Sequence, residues 1–151
     1  MNWWNWCLLA LLGASNFAHA GVAVRQVGCA PQVAQFVEEH IEDVASWEQF
    51  LTFYGKNSSC DHPALSDAFT LKMAELAGRP DGLKSLWKET ERRRWFRSFV
   101  FKRMQSETIP LDTTEAILEK LKSECPQEAK NVCRDLRVKI KKSCSACDAE
   151  K

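Results

Sequence analysis

From Pro31 onward the apolar residues recur at steps of three and four and almost nowhere alternate. That period makes helical stripes, and a sheet would need the alternation that is missing. The first stripe runs from Pro31 to Tyr54 through Val33, Phe36, Val37, Ile41, Val44, Trp47, Phe50 and Leu51. Gly55 is placed to end it, because glycine accepts the left-handed cap conformation. Ser46 with Gln49 three residues on offers a capping box, and with it a break near Ala45.

Asp61-His62-Pro63 starts the next helix, a capping acceptor followed by a proline suited to the first turn. Leu65, Phe69, Met73 and Leu76 mark its inner face and Gly78 closes it. Arg79-Pro80-Asp81-Gly82 is a turn. Leu83, Leu86 and Trp87 follow, then Phe96, Phe99, Val100 and Met104, with room for a break between Thr90 and Arg93. Asp112 is placed to cap residues 113–122, and a last helix begins at Pro126. Its face holds Ala129, Cys133, Leu136, Ile140, Cys144 and Cys147. Only residues 22–27 read as a short strand. The expected fold is all-α, with five or six helices in one small disulfide-stapled bundle over residues 21–151.

Residues 1–20 read differently. They contain no Lys, Arg, Asp or Glu, hold a short apolar stretch from Cys7 to Ala14, and end Ala18-His19-Ala20. Small residues at the −3 and −1 positions after a short apolar core are the pattern of a secretory signal peptide. A membrane anchor would need about 20 apolar residues. The expected destination is outside the cytoplasm, with the bacterial periplasm favoured and the extracellular space the alternative.

Past Ala20 six cysteines remain: Cys29, Cys60, Cys125, Cys133, Cys144 and Cys147. An even count in an exported chain points to disulfides. A straight helix over residues 31–54 would rise about 35 Å, which argues against joining Cys29 to Cys60 unless the helix folds back. Cys125 and Cys133 lie about 12 Å apart along a helix, which argues against that pair too. The expected bridges therefore run from Cys60 to Cys125 or Cys133 and from Cys29 to Cys144 or Cys147. Cys144 and Cys147 form a C-x-x-C pair. Its readings are a structural disulfide, a redox dithiol or, with further ligands, a metal site.

The formal net charge of +1 hides a segregation. Residues 21–83 carry four basic and nine acidic side chains, whereas residues 84–103 carry eight basic and two acidic. The basic stretch (Lys84, Lys88, Arg92, Arg93, Arg94, Arg97, Lys102 and Arg103) is threaded with Trp87, Trp95, Phe96, Phe99 and Phe101. In one reading it is a solvated face whose arginines pair with Glu38, Glu39, Glu42, Asp43 and Glu48. In another it meets an acidic protein partner, with Trp95 as the anchor and Arg92, Arg93, Arg94, Arg97, Lys102 and Arg103 around it. Anionic lipid or nucleic acid is the third reading. Export and the missing global basic excess weigh against nucleic acid.

His40 and His62 are the histidines beyond the leader, and neither stands beside a Ser, Cys or Asp at a spacing that suggests a triad. No catalytic residue, cofactor or metal is expected. Asn57-Ser58-Ser59 matches the glycosylation acceptor pattern.

Ser46-Trp47-Glu48, Cys60-Asp61, Phe96-Arg97-x-Phe99-Val100, and Cys125-Pro126 followed by Cys133 together resemble a pattern of small exported bacterial proteins without an assigned activity. The resemblance spans residues 46–133. It implies a periplasmic helical domain with Cys60, Cys125 and Cys133 in its framework. The functional expectation is an exported interaction protein that neutralises a partner such as a toxin or cell-wall hydrolase, as an immunity protein or inhibitor. A thiol-redox or metal-binding protein and a helical carrier of an apolar ligand are the alternatives.

Overall fold

A computed structural model describes residues 28–144 together with Cys147. The expected leader and the short strand at 22–27 lie outside the described residues. Seven α-helices occur among those described: α1 (Pro31–His40), α2 (Trp47–Asn57), α3 (Pro63–Gly78), α4 (Gly82–Arg92), α5 (Arg94–Arg103), α6 (Leu111–Ser123) and α7 (Lys130–Ser143). Single 3-10 turns at Ile41–Asp43, Ser58–Cys60 and Gln127–Ala129 join them. The count exceeds five or six because both breaks left open by the sequence are realised.

The first break splits the long N-terminal stripe. His40 and the 3-10 turn close α1, Val44 turns extended, and Ser46 restarts the chain as the N-cap of α2. Its hydroxyl accepts from the Gln49 N–H at 3.2 Å, while the Gln49 side-chain oxygen accepts from the Ala45 N–H at 2.8 Å. The first bond satisfies a first-turn N–H that helix geometry leaves open, and the second ties the chain before the cap back onto that turn. The second break is at Arg93, an extended residue between two helical runs.

Several helix ends differ from expectation. Gly55 does not stop α2, which continues to Asn57, because the tight turn into Cys60 supplies the end instead. Asp112 is not a cap; α6 starts two residues earlier than expected, at Leu111 after Pro110, and the Asp112 carboxylate sits in the first turn accepting from the Thr113 N–H. The last helix is entered through the 3-10 turn after Pro126 and stops at Ser143, so Cys144 and Cys147 lie beyond it.

α3 is the central element, packed against α1, α2, α4 and α6. Its buried residues Leu65, Phe69, Met73, Ala74, Leu76 and Ala77 point to more than one side, as a helix covered by several neighbours requires. Phe50, Phe69 and Phe96 are fully buried, and the Trp47 ring meets Phe50 and Phe96 edge-on at about 6 Å. Each such ring contributes about 1.5–3 kcal/mol through burial. The Trp47 indole N–H donates to the Gly82 carbonyl at 2.9 Å, tying α2 to the start of α4. That start is tight: Asp81 is left-handed at φ 54°, and Gly82 follows it against the end of α3.

A buried ammonium also sits in α3. Lys72 donates to the Glu42 carbonyl and carboxylate at 3.1 Å and pairs with Glu75 at 2.6 Å. Arg79 adds bonds to Glu75 and to the Ala45 carbonyl. Burial alone would raise the Glu75 carboxyl, but hydrogen bonds from Lys72 and Arg79 outweigh it and hold the group below its usual value.

The disulfides overturn the expected pairing. Cys29 joins Cys60, Cys125 joins Cys133 and Cys144 joins Cys147, with Cα separations of 4.4, 6.3 and 5.3 Å. The 35 Å objection fails because the stripe is not one straight rod. It folds back at residues 41–46, which returns the chain to Cys29. The 12 Å objection fails because only the second half of the 125–133 interval is α-helical.

Candidate partner-binding surface

α5 places its side chains by angle. Phe96, Val100 and Phe101 are buried, whereas Arg94, Trp95, Ser98 and Lys102 are exposed. At 100° per residue those four fall within one stripe about 100° wide. Trp95 is 54% exposed, and its ring packs edge-on against Phe96 at 5.6 Å and tilted against Phe99 at 6.2 Å. The indole is thus held by the aromatic core on one side and open to solvent on the other.

The charges around it are not equivalent. Arg94 and Lys102 have no ion pair among the described residues, and neither do Lys84 and Lys88 on α4. Arg92 and Arg93 share Glu89, with the Arg92 contact long at 3.5 Å and its side chain 71% exposed. Arg97 is half-exposed, reaches Asp135 of α7 at 3.4 Å, and lies over the Phe101 ring. None of these pairs with Glu38, Glu39, Glu42, Asp43 or Glu48, which corrects the expectation that the first acidic stretch neutralises the basic one. Glu42 is engaged by Lys72 instead. Helix α5 packs against α4, and its exposed arginine Arg97 reaches across to α7, so the carboxylates that meet the outer arginines are Glu89 and Asp135.

Arg103 stands apart from the stripe. Its guanidinium turns inward to pair with Asp61 and to donate to Ser66, and it lies over the Phe99 ring. Asp61 also accepts from the Tyr54 hydroxyl at 2.7 Å. Burial first, then the hydrogen bond and charge of Asp61, push the Tyr54 phenol up to about 12. Sequence reasoning took Asp61 for a helix cap and missed this network. The one available signal was an acid directly after a framework cysteine, facing a helix that ends in arginine.

Elsewhere, a groove of about 650 Å³ between α1 and α2 is lined by Phe36, His40, Phe53 and polar neighbours. His40 is stacked on Phe36 at 4.2 Å and bonds its carbonyl. Asn57 is buried, with its amide donating to the Phe53 carbonyl, so in the folded chain the acceptor amide of the 57–59 pattern is engaged. Among the described residues no cluster of His, Cys, Asp and Glu is arranged to hold a metal ion, and no helix is long and apolar enough to cross a membrane.

These features define an all-helical, disulfide-bonded domain. No family model, curated protein or solved structure matches the chain.

Proposed function

We propose that this is an exported helical interaction protein that binds an acidic protein partner through the outer face of α5. The observation that carries the reading is Trp95, an exposed indole held against Phe96 and Phe99, with Arg94 and Lys102 on the same face and without an ion pair among the described residues. Tryptophan and arginine are both enriched at interface hot spots. The cations would steer an acidic surface to the face, and the indole would hold it there once water is expelled. Occlusion of a partner's active surface needs no catalytic group, which suits an immunity protein or inhibitor acting on a toxin or cell-wall hydrolase. The disulfides agree with an oxidising destination.

The test is paired retention of proteins from the native periplasm on the oxidised protein and on Trp95→Ala and Arg94→Glu variants. The reading expects an acidic protein retained by the parent and lost, by about tenfold or more, from either variant. Equal retention by all three would place the interface elsewhere and end the proposal.

A further inference from the structure

The three bridges differ in what they hold. Cys29–Cys60 pins the start of α1 to the turn after α2, with Cys60 fully buried, and Cys125–Cys133 pins the α6–α7 connection to α7, with Cys133 buried. Cys144–Cys147 joins residues three apart beyond the end of α7 and connects no two helices. Opening it removes no tie between packed elements.

Its two residues also face different surroundings. Cys144 lines a cavity of about 270 Å³ with Met104, Ile109, Thr114 and Ile140. Cys147 lines a separate groove of about 510 Å³ with Arg137 and Lys141 of α7 and Lys122, Glu115 and Glu119 of α6. Glu119 is paired with Lys122, and among the described residues the groove holds three cations against two carboxylates. Cys144 sits at the negative end of α7, its N–H bonded to the Ile140 and Lys141 carbonyls. A thiolate is disfavoured at such a helix end and favoured beside lysine and arginine.

We infer that Cys144–Cys147 is a thiol–disulfide exchange site that accepts electrons from an external dithiol, with Cys144 the sulfur attacked and Cys147 the leaving group. The dithiol, as its thiolate, attacks Cys144 Sγ through the 270 Å³ cavity. The Cys144–Cys147 bond breaks, and its electron pair leaves on Cys147 Sγ, facing the cationic groove. The second thiol of the donor, after losing its proton to water, attacks the donor sulfur of the mixed disulfide and expels Cys144, which takes up a proton. The donor ends as a disulfide, oxidised by two electrons, and Cys144 and Cys147 end reduced. Such exchange speeds up as the leaving thiol becomes more acidic. The inference is independent of the α5 face and stands or falls without it.

Dithiothreitol is the probe. The folded, oxidised protein is exposed to limiting reagent, quenched by alkylation, and mapped by peptide mass. Thiols at Cys144 and Cys147 should appear at least about tenfold faster than at the other four bridged cysteines, with helical circular dichroism unchanged. Glutathione, a monothiol, should be trapped on Cys144 rather than Cys147. Arg137→Gln and Lys141→Gln should each slow the opening severalfold at unchanged Tm. Simultaneous release of all six thiols, earlier opening of another bridge, trapping on Cys147, or unchanged rates in both variants would each overturn the assignment.

Discussion

Gly82→Ala separates two physical arguments that predict opposite signs. Replacing glycine by alanine in a helix ordinarily favours folding by up to about 1 kcal/mol. At Gly82 the added methyl would lie 2.2 Å from the Leu76 carbonyl oxygen and 2.9 Å from that of Ala77, both backbone atoms at the end of α3. Ordinary C···O approach is about 3.3 Å, so α3 and α4 must separate by about an ångström. Overpacking of this kind costs about 1–3 kcal/mol. The same shift withdraws the Gly82 carbonyl from the buried Trp47 indole, leaving an N–H unsatisfied at about 1–3 kcal/mol. Set against the helix preference, the net expectation is about 1–5 kcal/mol of destabilisation. Urea unfolding of the oxidised protein reads it directly, with Gly55→Ala as the control. Nothing lies within 4 Å of a methyl at Gly55, inside α2, so that change should stabilise by about 0.5–1 kcal/mol. A Gly82→Ala protein as stable as the parent would refute the close-approach argument.

Tyr54 is the chain's single tyrosine, so phenolate absorbance reports it alone, with a midpoint near 12 that Asp61→Asn should lower toward 10. Because the folded phenol is the weaker acid, it contributes stability below pH 10 that is lost as pH rises through about 12. The same Asp61→Asn change strands the Arg103 guanidinium and should cost about 2–4 kcal/mol by denaturant titration. Glu75 has the opposite sign: its depressed carboxyl contributes stability above its ordinary 4.5 that is lost as pH falls below it. Glu75→Gln should therefore flatten the acid limb of a Tm-against-pH curve. Ser46→Ala removes the α2 cap and should lower stability by about 1 kcal/mol, measured the same way.

Much of the helical layout was legible because it rests on local chemistry. The 3–4 period, the Ser46–Gln49 box and the prolines at 31 and 63 each act within one turn of chain. Gly55 was misjudged because a glycine marks a helix end only where the backbone turns left-handed, and here it does not. The pairing of cysteines depended on whether residues 31–54 form one rod or two, and a capping signal alone does not set the angle between helices. The exposed face of α5 was legible as composition, since Trp95 and its arginines stand together in sequence. Which arginines remain available was not. That depends on Glu89, Asp61 and Asp135 arriving from α4, the turn after α2, and α7.

The bridges span 31, 8 and 3 residues, and none crosses from the first half of the chain to the last third. Oxidation can therefore follow the order of emergence. Once residue 60 is out, Cys29 has its partner, before any later cysteine exists to compete for it. Each later pair is again complete within a few residues of its first member. A chain wired this way asks for no bridge between an early and a late cysteine. The first and second halves of the described chain are joined by packing instead, α3 against α6 above all.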